Sequence, residues 1–112
     1  MIRDNKELLI IIPCLNEEKS IKGLIQELKE IKLNADILVI DDGSTDKTYL
    51  KATEQTTTIK LIKNVGIGGA VQTGIKYAKY LNYRYCLQID GDGQHNPKEI
   101  IFFVKKQKKT NS

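Results

Sequence analysis

The chain has 112 residues, 40% hydrophobic and 29% charged, the composition of one soluble globular domain. No apolar run approaches the ~20 residues that cross a bilayer, and the start MIRDNKELLI lacks the apolar stretch and cleavage site of a secretory signal. The net charge of +4 sits in Lys105, Lys106, Lys108 and Lys109, which leaves a neutral body with a basic tail, whereas a nucleic-acid binder spreads its basic residues over a face with aromatics between them.

Glu7 to Ile12, ELLIII, is too short and too continuously apolar for an amphipathic helix and stops at Pro13, so it is expected as a buried strand. A helix should start at Asn16, whose side chain can cap it, with Glu17 and Glu18 in the positive first turn. Ile21, Leu24, Ile25, Leu28 and Ile31 form its apolar stripe. A second strand over Ala35 to Ile40 runs into DDGSTDKT, and a short helix is expected from Ser44 or Thr45 to Gln55. A third strand over Thr58 to Ile62 leads to KNVGIGGA and a helix from Gly68 to Leu81. The fourth strand, Tyr85 to Ile89, ends in two aspartates. A last helix is expected from Asn96 as cap, Pro97 as first helical residue and Glu99 as the far side of a capping box, with Ile100, Phe103, Val104 and Gln107 on one face.

Strand and helix in alternation imply a parallel sheet with right-handed crossovers and helices on both faces. PCLNEE, DDGSTD, NVGIGG and DGDGQH each follow the carboxyl end of a strand, the edge where open parallel sheets bind ligands. The architecture points to a nucleotide-sized ligand. Cys14 and Cys86 lie in apolar runs and are expected as buried free thiols of a cytoplasmic protein, rather than as a disulfide. The basic tail reads as a solvated helix end or as a contact for an anionic membrane surface.

Asp90, Asp92 and Gln94 offer hard oxygen atoms at alternate positions of a tight turn, a set suited to Mg²⁺ or Mn²⁺ shared with phosphate oxygens. An Asp-Gly turn leading into a helix is the plainer reading. An EF-hand is excluded, because His95 and Ile101 stand where it needs Gly and Glu. Asp41 and Asp42 can accept hydrogen bonds from a base or a ribose; the plainer role, helix capping, is already met by Ser44, Thr45 and Asp46. Gly66 and Gly68 match two positions of a dinucleotide fingerprint, but Val71 fills the third, and no P-loop is present. This glycine-rich helix start can approach a diphosphate or pack against the sheet. His95 is the only histidine, so the chain holds no His-based triad or zinc site; it neighbours a ligand or sits on an exposed turn.

Together IIPCLNEE, ILVIDDGSTDKT, NVGIGGAVQTG and QIDGDGQHNPKE, in this order from Ile11 to Glu99, resemble the family 2 glycosyltransferases. These are inverting GT-A enzymes that use nucleotide-diphosphate sugars, and the resemblance is strongest to the dolichyl- or polyprenyl-phosphate sugar transferases. It implies a three-layer, mostly parallel, Rossmann-like half of a GT-A fold with strand order 3-2-1-4. It also implies that Pro13, Leu15 and Glu17 line the nucleotide pocket, that Asp42 bonds the base beside Asp41, and that Lys63 and Gly66, Gly68 and Gly69 border base and ribose. Asp90 and Asp92 match the Asp-X-Asp motif that holds Mn²⁺ or Mg²⁺ and, through it, the diphosphate, with Gln94 as a further ligand.

Family members continue beyond the Asp-X-Asp helix with elements that bind a lipid-phosphate or glycan acceptor and, for a hydroxyl acceptor, supply the catalytic base. The chain is therefore expected to be the nucleotide-sugar-binding domain over 1–112, with its basic tail at 105–112, inactive alone and with any base outside it. An uncovered edge at the fourth strand predicts self-association. The expected partner is a UDP- or GDP-sugar and not nucleic acid, and the expected location is cytoplasmic, peripheral to a membrane. Other classes are a nucleotidyltransferase, which carries a glycine-rich basic signature where PCLNEE stands, a non-catalytic nucleotide-sugar or partner-binding module, and a purely structural α/β domain.

Overall fold

The structure is a computed structural model and describes residues 7–31, 34–92 and 100–103, the last four through their backbone. β1 (Leu8–Cys14), β2 (Ala35–Asp41), β3 (Thr57–Lys60) and β4 (Tyr85–Gln88) run parallel, and β5 (Ile100–Phe103) joins antiparallel. The order across the sheet is β3-β2-β1-β4-β5. Its first four strands follow the expected 3-2-1-4.

Alternation along the central strands sorts the core into two layers. Leu9 and Ile11 of β1 with Leu38 and Ile40 of β2 face α3 (Gly66–Tyr80), where Ala70 and Ala78 let the helix pack closely. Ile10, Ile12 and Val39 face the other way, onto Ile21, Leu24 and Ile25 of α1 (Ile21–Glu30) and Ala52 of α2 (Thr48–Thr53). β1 and β2 read as continuous apolar runs because both of their faces are buried. Cys14 and Cys86 are free and buried. No helix among the described residues is long and apolar enough to cross a membrane.

β1 continues through Pro13, where the sequence reading stopped it. The Cys14 carbonyl accepts Asp42 N–H at 2.9 Å on the β2 side, so Pro13 turns its missing N–H toward β4. The β4 ladder has already ended at Ile11, so no sheet bond is lost.

Two helices start later than expected, and α3 starts two residues earlier, at Gly66. α1 begins at Ile21, after a turn in which the Glu17 carbonyl accepts Ser20 N–H and Ile21 N–H at 3.1 and 2.9 Å. Asn16 does not cap it but stands at φ 55°, a left-handed conformation that asparagine tolerates, and uses its side chain elsewhere. α2 is short because Ser44, Thr45 and Asp46 are drawn into a turn before it.

The largest correction concerns the end of the chain. Ile100–Phe103, expected on a helix, form β5, paired with all of β4 from Tyr85↔Phe103 to Gln88↔Ile100. Four consecutive β-branched and aromatic residues favour a pleated ribbon, and the neighbouring strand supplies their backbone partners. Asn96, Pro97, Glu99, Val104 and Gln107 of that expectation lie outside the described residues. β4 is therefore flanked on both sides, and the uncovered edge on which self-association through this strand rested is occupied by β5.

Candidate functional site

β1 sits between β2 and β4, and the chain reverses its direction of winding there, which opens a crevice beyond the strand ends. A cleft of about 290 Å³ occupies it. Pro13, Leu15, Glu17, Asp42, Gly66, Asp90 and Asp92 line this cleft together with Cys14, Asn64, Ile67, Ala70 and Gly91. Four segments far apart in sequence thus meet at one opening.

Asp42 fastens the β2 edge to α3. It is buried, and its Oδ1 and Oδ2 accept Val65 N–H and Gly66 N–H at 2.7 and 2.9 Å. A carboxylate placed so suits the positive end of the helix, and each oxygen keeps a further lone pair for a ligand. Gly66 takes φ 83°, a conformation open to glycine, as the chain turns its N–H onto this carboxylate.

Asp41 lies beneath the cleft rather than on its wall. It is fully buried, its Oδ1 accepts Ser44 N–H at 3.0 Å, and its Oδ2 has no hydrogen-bond partner among the described residues. Lys63, Gly68 and Gly69 are not among the lining residues, and Gln94 and His95 lie outside the described ones.

The turn carrying Asp90 and Asp92 is pressed against β1. A Cβ on Gly91 would stand 2.7 Å from the Cys14 Cβ and 3.1 Å from the Pro13 carbonyl oxygen, so only glycine fits without a shift. Ser20 Oγ donates to the Gly91 carbonyl at 2.8 Å and ties the turn to α1.

A polar seam that sequence reasoning missed fixes the Leu15–Glu18 loop. Asn16 N–H donates to Ser44 Oγ and Glu17 N–H to Thr48 Oγ1, both at 2.8 Å. Thr45 N–H donates to Asn16 Oδ1 at 2.9 Å, and Glu18 N–H to Asp46 Oδ2 at 3.3 Å. Partial burial alone would raise the Asp46 pKa, but the donors on Thr48 and Glu18 outweigh it and hold the carboxyl below its usual range. Of the lining residues not singled out in the sequence, Cys14 stood inside PCLNEE and Asn64 and Ile67 inside NVGIGG, segments marked as unusual, with Ala70 directly after the latter.

The cleft is electronegative. Burial, then the charges of Asp92 and Asp46, raise the Glu17 pKa. Burial, then Asp41, Glu17, Asp46 and Asp42, push the Cys14 thiol up to about 12. Among the described residues no three His, Cys, Asp or Glu side chains gather as a metal-holding group. Asp90 and Asp92 contribute two carboxylates to one wall. That donor set fits a hard divalent cation that completes its shell with water or ligand oxygens.

The model of glycosyl transferase family 2 matches residues 9–112. UDP-N-acetylglucosamine–dolichyl-phosphate N-acetylglucosaminyltransferase of Methanococcus voltae is 35% identical over 119 residues, covering 90% of this chain and 47% of that protein. Dolichyl-phosphate beta-glucosyltransferase of Dictyostelium discoideum is 33% identical over 107 residues, covering 80% of this chain and 32% of that protein. The chain thus spans between about a third and a half of these relatives' lengths. A mannosyltransferase from Pyrobaculum calidifontis, solved with GDP-Man and Mn²⁺, shares the fold, with a TM-score of 0.68 over 79% of this chain and 28% of that one at 19% identity.

Proposed function

The chain belongs to glycosyl transferase family 2, and on that premise we propose that it is the donor-binding domain of a transferase that moves a sugar from a UDP- or GDP-sugar to a lipid phosphate. The observation that carries this reading is the meeting of Asp42, Glu17, Asp90 and Asp92 with Pro13, Leu15 and Ile67 around one cleft at the switch point of the sheet. One domain, 1–112 with the basic tail 105–112, makes up this part of the enzyme.

In this reading Pro13, Leu15 and Ile67 give apolar walls to a flat heterocycle, and the remaining lone pairs of Asp42 accept a base N–H or a ribose hydroxyl. Asp41 supports the turn below. Gly66 alone of the expected glycines meets the base and ribose, since Lys63, Gly68 and Gly69 stand off the cleft lining. Asp90, Asp92 and Gln94 hold Mn²⁺ or Mg²⁺. That ion supplies charge neutralisation to a departing nucleotide diphosphate. The carboxylates of the cleft floor repel a bare diphosphate, so donor binding should depend on the cation. An anionic lipid phosphate attacks the anomeric carbon from the face opposite the leaving group, inverting it, and needs no base from this chain.

Calorimetric titration of UDP, GDP and their sugar conjugates, with Mn²⁺ or with EDTA, tests the reading. Binding of one nucleotide with Mn²⁺ and its loss in EDTA and in Asp92→Asn are expected. A folded chain that binds none of them, or binds equally in EDTA, overturns it.

A further inference from the structure

The sequence is divided by charge in a way the donor cleft does not use. From Gln55 to Ile89 there is no Asp or Glu, while Lys60, Lys63, Lys76, Lys79 and Arg84 fall in that stretch. Lys60 lies over the Tyr49 ring, 5.3 Å from its centroid, and Arg84 stands 3.7 Å from Glu7. Lys63, Lys76 and Lys79 are exposed and belong to α3 and the loop before it.

The same region carries apolar surface in the open. Ile62 is 99% exposed, Val65 53% and Tyr80 80%. Val65 lies over the first turn of α3, since a Cβ at Gly69 would come within 2.7 Å of its Cγ2. Gly69, Lys76 and Tyr80 are seven and eleven positions along the helix, close to whole turns, so Val65, Lys76 and Tyr80 follow one stripe with Lys79 beside it. This stripe faces away from Ala70, Gly74 and Ala78, the helix's buried side. α3 is the helix packed on the Leu9 and Ile11 face of the sheet, and none of the other described helices lies in that layer to cover its outer surface.

We propose that the outer face of α3, with the Ile62–Val65 loop at its start, docks on an anionic lipid bilayer. Lysines without interspersed carboxylates are complementary to an anionic leaflet, and a tyrosine and aliphatic side chains beside them suit its interface. The aliphatic tips favour lipid over nucleic acid, because Ile62 and Val65 gain from acyl chains but can neither stack on bases nor bond to phosphate.

Co-sedimentation of the full chain with phosphatidylcholine vesicles, with and without phosphatidylglycerol, tests this without nucleotide or metal, so the result does not depend on the donor-site reading. Binding to the anionic vesicles that weakens with salt is expected. Each lysine near such a surface contributes roughly fivefold, so Lys76→Gln with Lys79→Gln should weaken binding about 25-fold. Ile62→Ser should weaken it further, and all three positions are exposed and tolerate substitution. The proposal is overturned by absence of vesicle binding, or by binding that survives the double variant and disappears when Lys105, Lys106, Lys108 and Lys109 are neutralised. Salt-sensitive capture of an RNA oligonucleotide without vesicle binding also overturns it.

Discussion

Asp42→Ala should uncouple α3 from the sheet edge. The wild-type carboxylate accepts Val65 N–H at 2.7 Å and Gly66 N–H at 2.9 Å. A hydrogen bond to an ionised acceptor contributes roughly 1.5–3 kcal/mol. The two losses are unequal, because Gly66 N–H also reaches Asn64 Oδ1 at 3.1 Å and keeps that acceptor, whereas no second acceptor for Val65 N–H is described. The site borders an open cleft, so water can reach the abandoned donors. The net cost should fall near the lower end, about 2 kcal/mol, which for a domain of this size lowers Tm by roughly 10 °C. Asp42→Asn keeps one accepting oxygen and sets an amide against the other N–H, so about half that loss is expected. Urea unfolding followed by circular dichroism reads both values. An alanine variant within about 0.5 kcal/mol of wild type, at unchanged m-value, would refute the claim that this carboxylate anchors the helix.

Gly74→Ala should destabilise by about 1 kcal/mol, because its Cβ would meet the Ile11 side chain at 2.7 and 2.8 Å and overpacking outweighs the gain in helix propensity. Made in an Ile11→Ala background, the same change should turn stabilising, which denaturant unfolding of the four proteins checks. With the Cys14 thiol pushed up to about 12 and Cys86 to about 11, chiefly by burial, iodoacetamide should label neither at neutral pH in the native chain and both after unfolding, as read by mass spectrometry. Because burial, then Asp92 and Asp46, raise the Glu17 pKa, the native state holds that proton to higher pH than the unfolded chain, and stability falls as pH rises through the interval. Glu17→Gln should therefore be the more stable protein near about pH 7 and match wild type near about pH 3.5, a crossing that urea midpoints at the two pH values reveal.

What could be read from the chain alone divides by the range of the interactions that decide each feature. β1 and β2 were legible because burial on both faces leaves an apolar run in the sequence itself, and the strand ends were legible because four polar segments, three of them containing glycine, follow them. Asn16 was not, since a side-chain oxygen that can cap a helix is equally able to take Thr45 N–H from a distant loop. β5 was hidden for the same reason. Asn96, Pro97 and Glu99 spell a helix start locally, but Ile100–Phe103 answer to the open flank of β4, which no local pattern records. Asp42 shows how the two scales combine in the candidate site. As a residue type at a strand end it marked a place for a ligand, and only its two backbone partners at the start of α3 reveal that the carboxylate facing the cleft also ties that helix to the strand edge. Substituting it tests fold and site together, and the asparagine variant, which leaves one anchoring bond in place, separates them: nucleotide binding lost out of proportion to stability would belong to the site.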